Sequence, residues 1–409
     1  MRLQLSFSND KKINQAIQIT GSKSETNRSL LLQALFPNIT VENKSNSDDG
    51  QVMQAGLKKN TGEVDIHHAG TAMRFLTGFF ASQEGKEVVL TGSERMKERP
   101  IKVLVEALRK LGAQISYQNQ EGYPPIKITG KKLTKSKVSL PANISSQYIS
   151  SLLLIAPSLE NGLELELLGK ITSVPYIKMT LGLLDQIGIE TKFENNIITV
   201  SSAQEVKDTT LVVESDWSSA SYFYSIAAMS EVGTKIQLSS YKESSLQGDS
   251  VLSKIYKDFG VETTFSNNQI ILSKTGNCNL ETVAYELSNA PDIAQTISVT
   301  CLGLGMGCHL TGLHTLPIKE TDRLAAMKAE LEKFGATVDI DTESLTVQPC
   351  PTINSDVAVD TYNDHRMAMA FGPLGICIPL KINDAGVVSK SYPDFWNDLE
   401  TLGFSIDKL

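Results

Sequence analysis

Several things are scarce in this sequence, and each shortage excludes a class of protein. The five cysteines (Cys278, Cys301, Cys308, Cys350 and Cys377) are odd in number and form no CxxC pair. A disulfide framework is therefore excluded, and the cysteines read as reduced thiols in packing positions. Basic charge is short: 38 Lys and Arg against 46 Asp and Glu leave a net charge of -8 and a pI near 5.3. A nucleic-acid surface needs the opposite balance, so no nucleic-acid partner is expected and any anion site must be local. The opening MRLQLSFSND lacks the basic start and apolar stretch of a secretory leader, which implies a cytoplasmic chain. The charge-free run Ile297–Ile318 is broken by Gly, His, Pro and hydroxyl residues, so it reads as a buried core segment and no membrane association is expected. What remains, with 41% hydrophobic and 21% charged residues over 409 positions, is a folded chain best divided into two domains.

Five segments read as amphipathic helices closed by glycine and followed by a strand: KVLVEALRKLGAQI, MTLGLLDQIGIETKF, VLSKIYKDFGVETTF, AAMKAELEKFGATVDI and FWNDLETLGFSID. Their glycines, Gly112, Gly188, Gly260, Gly335 and Gly403, are spaced by 76, 72, 75 and 68 residues, and a shorter copy lies at DDGQVMQAGLKKNTG. A second set has few charges, as buried helices do: NRSLLLQAL, TAMRFLTGFFAS, SSQYISSLLLIAP, SSASYFYSIAAM, PDIAQTISVTCLG and DHRMAMAFGPLG. Markers near their starts (Arg28, Arg74, Gln147, Ser219, Asp292, Arg366) are spaced by 46, 73, 72, 73 and 74. Two helix families repeating together imply six βαβαββ-like units. A period of about 70 exceeds that of common solenoids, so two similar α/β domains of three units each are expected. Polar and Gly residues cluster at the helix starts. Helix N-termini offer unpaired N–H groups and about half a positive charge, so function is expected where they converge, although such residues also serve as ordinary N-caps.

GSKSETNR (Gly21–Arg28), HHAGTAMR (His67–Arg74) and SERMKERP (Ser93–Pro100) put cations, hydroxyls or a permissive glycine at helix starts. GxxxxGK[ST] is absent, and GLGMG has Cys308 where a dinucleotide fingerprint needs glycine, so neither nucleotide class is expected. His67 and His68 are adjacent and no carboxylate or Cys completes a ligand set, so no metal is expected. NISSQYISS contributes Ser145, Ser146 and Gln147, and TSVPYI contributes Ser173 and Tyr176, as neutral donors or caps. SNAPDIAQT, PIKETDRL, TYNDHRMAMA and SKSYPDF supply the carboxylates Asp292 and Glu320 and the cations Lys319, Arg323, Arg366 and Lys390. Carboxylates in cationic surroundings suit acid–base work; the alternative is a structural ion-pair network.

Taken in order from Gly21 to Phe395, these motifs closely resemble the 5-enolpyruvylshikimate-3-phosphate synthase family. The resemblance implies helix N-termini facing an interdomain cleft and a chain that crosses over twice, giving one domain of 21–246 and another of 1–20 with 247–409. It implies cofactor-free transfer of the enolpyruvyl group of phosphoenolpyruvate to the 5-hydroxyl of shikimate 3-phosphate, in chorismate and aromatic amino acid biosynthesis. By the same resemblance, Lys23, Ser24, Arg28, Ser145, Ser146, Ser173, Tyr176, Asp292 and Lys319 would hold shikimate 3-phosphate, and Gln147 both substrates. Lys23, Gly70, Arg95, Arg323, Arg366 and Lys390 would contact phosphoenolpyruvate. Asp292 would be the base and Glu320 the proton donor to the methylene, with Lys23 a competing participant. The chain departs from the family pattern at His67, His68 and Phe75, and at Thr315, where Asn is usual. Gly70 matches the position where a larger residue excludes glyphosate, so sensitivity is expected. The related UDP-N-acetylglucosamine enolpyruvyl transferase carries a mobile-loop Cys that SERMKERP lacks, and a non-catalytic anion-binding paralogue would be expected to lose Asp292 or Glu320. A monomer is expected.

Overall fold

A computed structural model describes residues 1–7, 11–142, 145–169, 171 and 173–409. Asn143 and Ile144 of NISSQYISS and Thr172 of TSVPYI lie outside the described residues. All five repeat glycines adopt left-handed φ, from 73° at Gly260 to 108° at Gly112. The residue after each glycine donates to the carbonyl five positions back, as in Ala113 to Leu108 (2.9 Å), Ile189 to Leu184 (3.0 Å) and Phe404 to Leu399 (3.1 Å). This bond satisfies carbonyls that the helix end would orphan, and it needs the left-handed residue that glycine supplies without a Cβ penalty. One helix is shorter than its pattern predicts. The expected helix in VLSKIYKDFG is a 3-10 turn Gly248–Val251, one α-turn Leu252–Ile255, and i to i−3 bonds onward to Phe259. Its Tyr256 and Phe259 rings pack on each other at 5.0 Å with their planes tilted by 43°, and a tightened turn suffices to bury both.

Each repeat builds a small sheet of one order. Thr61–Asp65 runs parallel to Glu87–Thr91, which pairs antiparallel with Ile126–Thr129, which pairs antiparallel with Gln114–Tyr117. Among the described residues the same order recurs in four other sheets, and the sixth is the parallel pair Ile39–Glu42 with Thr209–Val212. In four sheets the parallel strands are consecutive, with a buried helix between them: Gly70–Ser82, Ser146–Ile155, Ala294–Gly303 and His365–Phe371. Two sheets differ. Asn14–Ile17 pairs with Lys235–Ser239, and Thr209–Val212 pairs with Ile39–Glu42, so each strand joins the partner that follows the other's helix. This reciprocal exchange carries the chain between two compact units, Met1–Thr20 with Glu214–Leu409, and Gly21–Val213.

The boundary expected after residue 246 therefore falls after Val213 instead. Two neighbouring anchors explain it. Asn43 Nδ2 donates to the Val213 carbonyl at 2.8 Å within the smaller unit. Glu214 is buried in the larger one, where it accepts from Trp217 Nε1 (2.7 Å), Lys242 N (2.9 Å) and Ser245 Oγ (2.6 Å). Residues 217–238 then pack into that unit's core. Gly21 sits at the other crossing, where a Cβ would lie 1.8 Å from the Asn43 carbonyl. Among the described residues, no helix is long and apolar enough to cross a membrane.

Gly188 has φ 81° and open space around its missing Cβ, so the repeat's helix ending can be tested there without a clash. Gly188→Ala is expected to cost about 1–2 kcal/mol, the penalty for an L-residue in this conformation. A urea midpoint equal to the parent's would contradict the assignment.

Candidate functional site

In the larger unit, the buried helix Ala294–Gly303 packs against two others, Trp217–Met229 and His365–Phe371. Their first turns bring Ser218, Asp292 and Arg366 together. Arg366 Nη2 lies 3.2 Å from Asp292 Oδ2 and 3.3 Å from Ser218 Oγ, while Nη1 donates to the Asp292 carbonyl at 3.3 Å. Arg323, the first residue of helix Arg323–Lys333, is 2% exposed and meets three carboxylates. Nη1 reaches Asp292 Oδ1 at 2.8 Å, Nη2 reaches Glu320 Oε2 at 2.9 Å, and Nε reaches Asp364 Oδ2 at 2.7 Å. Two lysines complete the set: Lys319 Nζ is 3.5 Å from Asp292 Oδ1, and Lys390 Nζ is 3.3 Å from Glu320 Oε1.

Charge balance decides the protonation states. Burial opposes ionisation of Asp292, but Arg366, Lys319 and Arg323 outweigh it and hold the carboxyl well below its ordinary range. Burial would likewise lower the Arg323 pKa, yet Asp364, Glu320 and Asp292 raise it. Asp249 behaves differently. Burial first, then the Asp292 charge, push its carboxyl up to about 7, against the pull of Arg366 and of the Ser218 hydroxyl that donates to it. Four cations thus face three carboxylates, an arrangement that can accept anions and move protons.

In the smaller unit, Lys23 opens helix Lys23–Leu35 and lies 3.5 Å from Asp49 Oδ2. Gly70 opens the helix Gly70–Ser82, and Gln147, in the first turn of Ser146–Ile155, donates to Thr71 Oγ1 at 3.3 Å. Ser145 caps that helix by accepting from Gln147 N, and Ser146 is buried beside it. Ser173 precedes Val174–Gln186 in a left-handed conformation with no side-chain cap bond.

The expected residues do not all present themselves alike. Arg28 is enclosed, donating to the Ser24 carbonyl (2.8 Å), Thr180 Oγ1 (2.8 Å), Ser150 Oγ (3.0 Å) and the Tyr176 carbonyl (3.3 Å). Burial lowers its pKa to about 10, opposed by Tyr176 and Glu25. Phe75, one of the departures from the family pattern, stacks under Arg28 at 5.3 Å. Arg95 is half-exposed and pairs with Glu98 at 3.0 Å. The guanidinium beside Gly70 is instead that of Arg99, whose Nη1 would lie 2.7 Å from a Cβ placed there. His68 Nδ1 meets Ser93 Oγ at 2.8 Å, and His67 N donates to Asp65 Oδ1 at 2.8 Å. Thr315 Oγ1 is buried with no hydrogen-bond partner among the described residues. Sequence reasoning passed over Asp364 and Asp249. Asp364 directly precedes His365 at a helix start, and Asp249 stands in the short segment Gln247–Asp249.

A buried guanidinium shared by three carboxylates and flanked by further cations at helix starts is the kind of site that suits an enzyme acting on anionic substrates. The model of the family EPSP synthase (3-phosphoshikimate 1-carboxyvinyltransferase) matches residues 40–399. A 3-phosphoshikimate 1-carboxyvinyltransferase of Bacteroides fragilis is 44% identical over 405 residues, covering 97% of each chain. One of Shewanella pealeana is 35% identical over 431 residues, covering 98% of this chain and 99% of the relative. Among solved structures, the EPSP synthase of Acinetobacter baumannii superposes with a TM-score of 0.82 at 20% identity over the whole of both chains. The enolpyruvyl transferase NikO of Streptomyces tendae superposes with a TM-score of 0.74 at 12% identity, over 99% of this chain and 98% of that one. These last two speak for the fold. The chain belongs to the EPSP synthase family.

The depressed Asp292 pKa fixes a stability signature. A carboxyl with a folded pKa below its unfolded value of about 3.9 contributes stability that is complete above that value and lost as pH falls through the folded pKa. Asp292→Asn is expected to cost about 3–5 kcal/mol at pH 7, since it leaves buried cations short of a partner. The gap to the parent should narrow below about pH 4. Urea unfolding between pH 7 and pH 3 measures it, and a gap independent of pH would contradict the assignment.

Proposed function

We propose that the protein transfers the enolpyruvyl group of phosphoenolpyruvate to the 5-hydroxyl of shikimate 3-phosphate, releasing phosphate, and does so as a cytoplasmic monomer. The observation that carries this reading is the cluster of Asp292, Glu320, Arg323, Arg366 and Lys390, with acid and base candidates within one network of cations. The acceptor hydroxyl adds to C2 of phosphoenolpyruvate, passing its proton to Asp292, while Glu320 delivers a proton to the methylene. In the second stage the C2–O bond to phosphate breaks and the new methyl returns a proton, restoring the double bond. Lys23 is the alternative proton carrier.

Arg323, Arg366 and Lys390, with Gly70 and the neighbouring Arg99 in place of the expected Arg95, would receive the donor's phosphate and carboxylate, for which forked guanidinium groups are suited. Lys23, Ser24, Ser145, Ser146, Gln147, Ser173, Tyr176 and Lys319 would receive shikimate 3-phosphate. Arg28 holds the Ser24 and Tyr176 carbonyls beside them. Binding has a chemical consequence. An incoming anion competes with Asp292 and Glu320 for the cations, and a carboxylate relieved of its cations becomes a better base. The resting pairing with Arg366, Lys319 and Arg323 thus keeps the base Asp292 ionised and in place until substrate displaces it.

The test is release of inorganic phosphate from phosphoenolpyruvate with shikimate 3-phosphate or with UDP-N-acetylglucosamine as acceptor. Turnover with the first alone is expected, and Glu320→Gln should lower kcat by about 10²–10⁴-fold. Turnover with the second alone would overturn the reading.

A further inference from the structure

Between the strand Ala358–Val359 and the helix His365–Phe371 the backbone makes a strained turn. Asp364 N donates to the Thr361 carbonyl at 2.8 Å, and both central residues are left-handed, Tyr362 at φ 53° and Asn363 at φ 55°. Asparagine visits this region readily because its short polar side chain can bond locally. Tyrosine does so against steric resistance. Such a turn persists where its surroundings over-determine it, and this one leads directly into Asp364 and Arg366.

Helix Arg323–Lys333 holds the turn at both ends. Its first residue grips Asp364. Two turns later Glu330, fully buried and unused by the proposed chemistry, grips the opposite side. Glu330 Oε1 accepts from Tyr362 Oη at 2.7 Å, and Oε2 accepts from Asp360 N at 3.1 Å. Lys333 Nζ lies 2.8 Å from both Glu330 Oε2 and Asp360 Oδ2 and neutralises the buried charge, while Asn383 Nδ2 donates to Asp360 Oδ1 at 2.7 Å. One carboxylate therefore fixes a backbone N–H ahead of the turn and the hydroxyl of the residue that bears the strain. Tyr362 itself is otherwise on the surface, so its ring is tied down mainly through that hydroxyl.

From this geometry we infer that Glu330 and Tyr362 are positioning residues: their hydrogen bond holds the left-handed turn and so aims Arg366 at phosphoenolpyruvate. The inference rests on the enolpyruvyl-transfer reading through the role of Arg366. Without the bond, Tyr362 relaxes toward negative φ, the start of the following helix shifts, and Arg366 leaves its register with Asp292 and Ser218.

Steady-state kinetics of the full-length protein test it. Tyr362→Phe removes the hydroxyl and keeps the ring. It is expected to raise KM for phosphoenolpyruvate about tenfold, the scale of one hydrogen bond to a charged group, with KM for shikimate 3-phosphate within about twofold of the parent. Glu330→Gln keeps an acceptor for Tyr362 and should raise the same KM by less, about threefold. An unchanged KM for phosphoenolpyruvate in Tyr362→Phe, or a parallel rise in both KM values, overturns the inference whatever happens to the melting temperature. If Tyr362→Phe does not fold, the same two outcomes are read from Glu330→Gln. A parent protein that releases no phosphate would fail the enolpyruvyl-transfer reading and is recognised before any variant is compared.

Discussion

One buried guanidinium organises the chemistry of the larger unit. Arg323 binds Asp292, Glu320 and Asp364 with three different nitrogens, and each carboxylate arrives from a different stretch of chain. A charge this deep costs several kcal/mol to desolvate, so it is tolerable only with near-complete pairing. The fork of the guanidinium supplies donors in fixed directions, which sets where the carboxylates must stand. Acid–base groups and anion-binding cations therefore share one constraint.

That constraint explains how a chain of net charge -8 can carry an anion site. The cations are local, and in the resting protein the chain's own carboxylates occupy them. On the proposed reading an anionic substrate would take over contacts that already exist, leaving little reorganisation for the reaction step. The repeat architecture makes this possible. Buried helices start at equivalent places in each unit, and their first turns gather Ser218, Asp292 and Arg366 in one half of the chain and Thr71 and Gln147 in the other. Two of the glycine-terminated helices also carry candidate residues at their starts: Arg323 opens Arg323–Lys333, and Ser173 and Tyr176 lie at the start of Val174–Gln186.

Much of this is legible in the sequence, because local rules govern it. A glycine after an apolar periodic stretch marks a left-handed helix end, and Gly112, Gly188, Gly260, Gly335 and Gly403 all obey. A nearly charge-free helix is buried, and every residue of Trp217–Met229 is. Features set by distant partners are less legible. The exchange of Asn14–Ile17 and Thr209–Val212 leaves no trace in either strand, since both read as ordinary first strands of a repeat. The domain boundary depended on it and on Glu214, whose partners lie 28 and 31 residues away. In SERMKERP three cations share one short segment, and composition alone cannot say which turns toward Gly70; backbone geometry selects Arg99 and leaves Arg95 paired with Glu98. Asp364 is the N-cap of its helix, its Oδ1 accepting from Arg366 N at 2.9 Å, and it also pairs with Arg323, a partner 41 residues away that its local sequence does not reveal.

The central claim is that the directional fork of Arg323, and not merely its charge, assembles the site. Arg323→Lys separates the two, because lysine keeps the positive charge on a single flexible point. The measurement is kcat/KM for phosphoenolpyruvate at saturating shikimate 3-phosphate, with circular dichroism confirming a folded variant. A loss of about 100-fold or more is expected, the scale of two lost charge-assisted hydrogen bonds. A value within about threefold of the parent's, well under the cost of one such bond, would contradict the account.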